Sequence, residues 1–367
     1  MKVLAVLILL SPVAIQAQSE KFIHHGRLIF GTHKERTASL DIGDLDQDGD
    51  MDVVLANGRH WPGQNRIFIN NGRGIFTISR LLGTDLSTSY ATELADFDGD
   101  GDLDVAVGND MAPNYLFIND GTGRFTQGVT FGERYAPTRN IVTADIDGDG
   151  AIDILITNRG SANEICLNDG QGNFASSVGF GTKDDSTIDV EVADMDGDGD
   201  QDLVLANRDQ QQNYVYLNDG KLNFEDRMPF GSGEDDTRSV AVADINQDGY
   251  PDIITANIQS ANWIYFGDET LSYTNKLVFD QQGNRSYAVA TGDLNQDGLV
   301  DVVIANSNEP NAAFLNPGTG PWERIQLSES SFRTYDITIA DLNGDGQPDI
   351  VESNSDELNL YYFNRFR

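Results

Sequence analysis

The chain has a single cysteine, Cys166, so no disulfide can form within it. It has little positive charge: 24 Lys and Arg stand against 59 Asp and Glu, a formal net charge of −35. Nucleic acid is therefore excluded as a partner, because phosphate binding needs clustered cations. Past residue 17 no apolar run approaches the ~20 residues that span a membrane. The four histidines, His24, His25, His33 and His60, form no metal-binding spacing, and no nucleophile elbow, Walker loop or dinucleotide fingerprint occurs. Proline is scarce at 10 residues while glycine reaches 37, which suits many tight turns between short strands rather than a stiff linker.

What is present begins with a leader. Lys2, the apolar run Val3–Leu10 and small residues ending at Ala17 have the three-part layout of a secretory signal peptide. This predicts a secreted protein, extracellular or periplasmic, with one domain over 18–367. Cys166 lies in a strand pattern and is expected to be a small buried hydrophobe.

Self-comparison sets the architecture. One acidic motif recurs with its first Asp at Asp44, Asp96, Asp145, Asp194, Asp244, Asp293 and Asp341, at intervals of 48 to 52 residues. Around each copy lie four short β-branched or aromatic segments separated by Gly, Asp and Asn turns. Four antiparallel strands per unit, repeated seven times, predict an all-β, seven-bladed β-propeller rather than a sandwich or β-helix. The seventh unit ends without a fourth strand, and the segment Phe22–Phe30 aligns with the last strand of unit four. That N-terminal strand is expected to close the last blade.

The motif reads Asp-x-[Asp/Asn]-x-Asp-Gly-x-x-Asp, nine residues between the first and second strands. Calcium wants six to eight oxygens, and carboxylates at positions one, three, five and nine, with the position-seven carbonyl, supply a shell around a bend at the position-six Gly. The expected ligands are Asp44, Asp46, Asp48, Asp50 and Asp52 in blade one, and Asp96, Asp98, Asp100, Asp102 and Asp104 in blade two. Blade three offers Asp145, Asp147, Asp149, Ala151 and Asp153, and blade four Asp194, Asp196, Asp198, Asp200 and Asp202. Asn takes position three in the remaining blades: Asp244, Asn246, Asp248, Tyr250 and Asp252; Asp293, Asn295, Asp297, Leu299 and Asp301; Asp341, Asn343, Asp345, Gln347 and Asp349. Up to seven Ca2+ ions are expected, weaker where Asn removes a charge. The loops hold 28 of the 59 acidic residues, so most of the excess charge is explicable as cation ligands.

The repeats resemble FG-GAP/VCBS repeats, the propeller type of integrin alpha-subunit heads and many secreted bacterial proteins. The resemblance rests on the nine-residue loops, on Phe-Gly pairs such as Phe30-Gly31, Phe131-Gly132, Phe180-Gly181 and Phe230-Gly231, and on turns such as Asn168-Asp169-Gly170. Blade five departs, with Gly267-Asp268-Glu269 in place of the Asn-Asp-Gly turn. The resemblance implies structural calcium and a binding or adhesive role, without naming a ligand.

The face opposite the loops is where blades differ. A hydroxyl precedes each first Asp by seven residues, from Thr37 to Thr334, an Asn ends each second strand (Asn57 to Asn354), and another opens each third (Asn65 to Asn359). Such uniformity is expected to be structural. The residue after the hydroxyl varies, and Tyr90, Arg139, Arg238, Tyr287 and Tyr335 are expected around one axial mouth, with Asp41, Glu93, Asp189, Glu191 and Asp336 beside them. Trp61 stands in a longer loop and is a candidate partner contact. The leading reading is a secreted calcium-binding module for a protein or glycan partner at this face. The alternative is a polysaccharide lyase or hydrolase with its site at the same mouth.

Overall fold

The computed structural model describes residues 21–366, and the leader expected over 1–17 lies outside them. The described residues form strands and turns only, with no helix among them. Blade four shows the unit: an inner strand Thr187–Ala193, then Asp202–Asn207, Gln211–Tyr216 and an outer Arg227–Asp235, paired antiparallel in that order. Every second strand is buried along its whole length, for example Val53–Ala56 and Leu203–Ala206, because neighbouring blades cover both of its faces.

There is no single core. Seven apolar clusters each lie between successive blades, such as Leu45, Val54 and Ile67 of blade one against Val105, Val107 and Phe117 of blade two. The cluster of Leu342, Val351 and Tyr361 with Phe30, Leu40 and Phe68 joins blade seven back to blade one. The ring is thus closed by the same kind of packing that builds it.

Closure by the N-terminus holds, in a modified form. Phe22–Ile23 pairs with Asn364 and Phe363, and Ile29–Phe30 pairs with Leu360 and Asn359. Between them a turn at His25, with Leu28 N–H donating to its carbonyl at 2.8 Å, splits the expected continuous strand in two. The chain then runs unbroken into the inner strand of blade one within Ile29–Gly43.

The repeated hydroxyl and Asn residues are structural, as expected, and their pattern circles the molecule. In blade one Thr37 Oγ1 donates to Asn57 Oδ1 at 2.8 Å, while Asn65 Oδ1 accepts from Asn57 N–H at 2.8 Å. Asn65 Nδ2 then donates to Ser89 of the next blade at 2.8 Å. The last link returns from Asn359 to Thr37 at 2.9 Å. One link is missing, since Asn114 Nδ2 of blade two has no partner among the described residues.

Candidate functional site

Each inner strand delivers two chemistries, one at either end. At its C-terminal end the acidic loop curls so that carboxylates converge. Asp44, Asp46 and Asp48 bring oxygens within 4.8 Å of one another, as do Asp96, Asp98 and Asp104, Asp145, Asp147 and Asp153, and Asp194, Asp196 and Asp202. Backbone amides hold position one: Asp44 accepts from Asp48 and Gly49 N–H at 3.1 and 3.0 Å. The expected bend at position six is accompanied by a second left-handed residue at position four, glycine in four blades and Gln47, Gln247 and Gln296 in the others, with φ of 58°, 59° and 59°. No sequence signal marked that glutamine as turning.

Position nine has a role the sequence did not disclose. Asp202 is buried, and its two oxygens accept from Met195 N–H and Asn218 N–H, each at 2.8 Å. The same pair of bonds recurs in every blade, as at Asp52 and Asp349. Burial pushes the Asp52, Asp104, Asp153, Asp202, Asp252 and Asp301 carboxyls up to about 6, against the pull of these amides. Asp46, Asp98 and Asp196 are also raised, by burial and then by the neighbouring aspartates. One oxygen of Asp46 and one of Asp145 are buried without a partner among the described residues. Clustered, mutually repelling hard oxygens with orphaned lone pairs fit a hard divalent cation. In blades five and six the Asn at position three instead donates to Asp248 and Asp297, at 2.9 and 3.0 Å, which leaves those loops more nearly self-satisfied.

At the other end of each inner strand a β-bulge separates the hydroxyl from the residue two places on, as between Thr37 and Ser39 or Thr187 and Asp189. The bulge re-aims the intervening side chain toward the axis. Tyr90, Arg139, Arg238, Tyr287 and Tyr335 therefore line one axial cavity of about 360 Å³, together with Asp41, Glu93, Asp189, Glu191 and Asp336. Trp61 does not join them. It stands on the rim, 63% exposed, with the Arg36 guanidinium 5.4 Å from its ring centre.

The cavity has two layers. Tyrosines and arginines form the outer one: Tyr287 and Tyr335 pack edge to face at 4.9 Å, Arg59 lies 3.6 Å over Tyr335, and Arg139 lies 4.6 Å over Tyr90. Arg285 donates to the Tyr287 hydroxyl at 3.1 Å. Burial raises the Tyr287 phenol, but that bond and the charges of Arg285, Arg238 and Arg208 bring it below its usual value. Acids form the inner layer. Asp41, Asp189 and Asp336 each take an amide from their own strand and one from the next blade, the last bond running from Leu40 to Asp336 at 3.0 Å. Glu93 and Glu191 have no hydrogen-bond partner among the described residues. Burial drives the Glu191 carboxyl to about 8, Asp41 to about 7 and Asp336 to about 6, and raises Glu93 well above the carboxylate range.

Two mouth residues escaped the sequence reading. Asp110 accepts from Arg139 at 2.6 Å and from His60 Nδ1 at 2.8 Å, which leaves His60 Nε2 to accept the Tyr90 hydroxyl at 2.8 Å. Asp110 follows the Asn that ends a second strand, and Arg59 lies two places after another. These positions vary between blades as the axial ones do, so the same comparison extended past that Asn would have found them. Cys166 is buried with its thiol pushed up to about 12, as a core residue should be.

The model of the FG-GAP-like repeat family matches residues 44–107, 96–156, 145–205, 194–255, 245–304 and 293–352. No curated protein matches the chain. Among solved structures it is similar to BBS1N in complex with ARL6DN. A lead-soaked crystal gives a TM-score of 0.63 at 12% identity, covering 94% of this chain and 98% of that one. A mercury-soaked crystal of the same complex gives 0.62 at 12% identity, with 91% and 93% covered. At this identity the likeness concerns the fold.

Proposed function

We propose that this chain, which belongs to the FG-GAP-like repeat family, is a secreted, calcium-stabilised module that binds a protein partner on the face opposite its Asp loops. One observation carries the reading. Among the described residues the four most exposed large apolar side chains, Trp61, Leu86, Met111 and Tyr135, at 63%, 63%, 61% and 58%, all stand on loops of that face in blades one to three. Those loops are tied into one surface: Gly63 and Ser87 exchange backbone bonds at 2.8 and 2.9 Å, and Met111 N–H donates to Ala136 at 2.9 Å. An exposed, aromatic-rich sector of this kind is what a protein interface uses and what a solvated surface avoids. The related propeller BBS1N was solved with a protein bound, which supports the class of partner. Calcium would be held by the converging carboxylates and would stabilise the ring, and millimolar extracellular calcium suits such sites.

The test is affinity capture from the extracellular and envelope fraction of the source cells in millimolar calcium, followed by binding of the purified partner. Trp61→Ala with Met111→Ser is expected to weaken that binding about a hundredfold while leaving thermal stability unchanged. Unchanged binding by the double variant would move the interface elsewhere.

The Tyr90–His60–Asp110 chain favours a second reading, cleavage of a polysaccharide at the mouth, because it orients a histidine to take a phenol proton. Formation of unsaturated or reducing ends from anionic polysaccharides, lost in His60→Ala, would replace the binding reading with that one.

A further inference from the structure

Of the two arginines that line the axial cavity among the described residues, Arg238 is the one whose donors the fold leaves unused, although its charge acts on Asp189 and Tyr287. Its guanidinium lines the cavity, 5.8 Å from the Tyr287 ring centre, and makes no hydrogen bond or ion pair with any described residue. Asp189, the acid whose charge acts on it most, is already engaged by three other donors. It accepts from Val190 N–H at 3.0 Å, from Val240 N–H at 3.1 Å and from the Asn140 amide at 2.5 Å. The contrast with its neighbours is informative: Arg139 is tied to Asp110 and Arg285 to Tyr287, so each has a structural partner. Arg238 is half-buried and open to the cavity, so its five donors are left for an acceptor that enters from the mouth.

We propose that Arg238 anchors a carboxylate presented by the protein that docks on the apolar rim, with the Tyr335 hydroxyl, which has no partner among the described residues, as the flanking donor. This rests on the reading of that face as the binding face. A carboxylate matches the guanidinium fork with two parallel bonds. A dianion would find no second cation beneath Arg238, since the floor of the cavity is lined by the acids Asp41, Glu93 and Glu191. The rim sector supplies the apolar contact that a free metabolite would not need.

The isotope-labelled, calcium-loaded full chain is titrated with N-acetyl-aspartyl-methylamide while arginine Nε–H resonances are followed. The Arg238 resonance is expected to shift saturably, and to stay unmoved by N-acetyl-asparaginyl-methylamide. Arg238→Met should weaken binding at least about tenfold, and Tyr335→Phe severalfold without change in melting temperature. Equal response to both probes, full affinity in Arg238→Met, or saturation by inorganic phosphate with none by the aspartyl probe would each overturn the assignment. Should Arg238→Met fail to fold, Arg238→Lys and Tyr335→Phe carry the test, and full affinity in both overturns it. Trp61→Ala is expected to leave the small probe's affinity intact, so this result separates from the fate of the rim interface.

Discussion

Position nine of the acidic loop shows how one side chain serves two ends. As a ligand candidate it belongs with positions one, three and five; as an acceptor for two buried amides it fixes the loop to the third strand. The two roles separate in a calcium-free protein. In EDTA, Asp202→Asn is expected to lose roughly 1–3 kcal/mol, because an amide nitrogen must then face Met195 or Asn218 N–H. Asp198→Asn in EDTA should be neutral or slightly stabilising, since it removes repulsion between Asp196 and Asp198. With calcium present both should lower stability. Urea denaturation of the two variants with and without chelator checks this, and equal losses in EDTA would refute the division of labour. The ligand half of the role was legible because the spacing repeats. The structural half was not, because it depends on the return of a third strand whose register no spacing prints. Gly267 teaches a similar lesson. It breaks the turn pattern of blade five, yet a Cβ there would meet the Pro251 carbonyl at 2.3 Å, so the backbone itself differs and asparagine could not simply be restored.

At the scale of the element, blades are alike in their scaffolding and graded in their loops. Strand order, the Asp-loop junctions and the structural role of the repeated hydroxyls and asparagines followed from the repeat, whereas their bonding from one blade to the next did not, because it depends on how a unit stacks on its copy. The turn that splits Phe22–Ile23 from Ile29–Phe30 did not, since alignment with blade four carried that blade's outer strand across a Gly26 that bends the chain. The bulge that aims axial residues was equally silent in sequence, although the variability of those positions had already marked them. Loop grading yields a prediction. Blades one to four bring at least three carboxylates together, whereas Asn246 and Asn295 spend their amides on neighbouring aspartates. Calorimetric titration of the calcium-stripped chain should resolve a tighter class of about four sites from a weaker class of about three. A single class of seven equal sites would show that the lost charge is offset within the loop.

For the molecule as a whole, the decisive feature is that seven interfaces close on themselves around a cavity walled by acids. Such a wall has a price in stability that depends on pH. Glu191 titrates at about 8 in the folded chain and near 4.5 when unfolded, because burial and the neighbouring Asp189 disfavour its charge. Between those values the native state holds a proton that the unfolded chain has released, so stability falls as pH rises across that window and levels off on either side. Asp41 and Asp336 act in the same direction, up to about 7 and 6 respectively. Glu93, Asp189 and the Arg238 guanidinium face the same space, and the arginine offsets only part of the repulsion. Glu191→Gln keeps the shape and removes the cost of ionising this buried acid, which is on the order of 5 kcal/mol across that window. In saturating calcium, which holds the loop aspartates ionised at every pH tested, the variant should melt several degrees above the parent at pH 8.5 and level with it at pH 4.5. A parent whose melting temperature does not decline between pH 5 and 8, or a variant that declines equally, would mean that the cavity acids are screened by water entering from the mouth. In that case the same water would hydrate Arg238, and the carboxylate anchor would lose much of the desolvation that makes it selective.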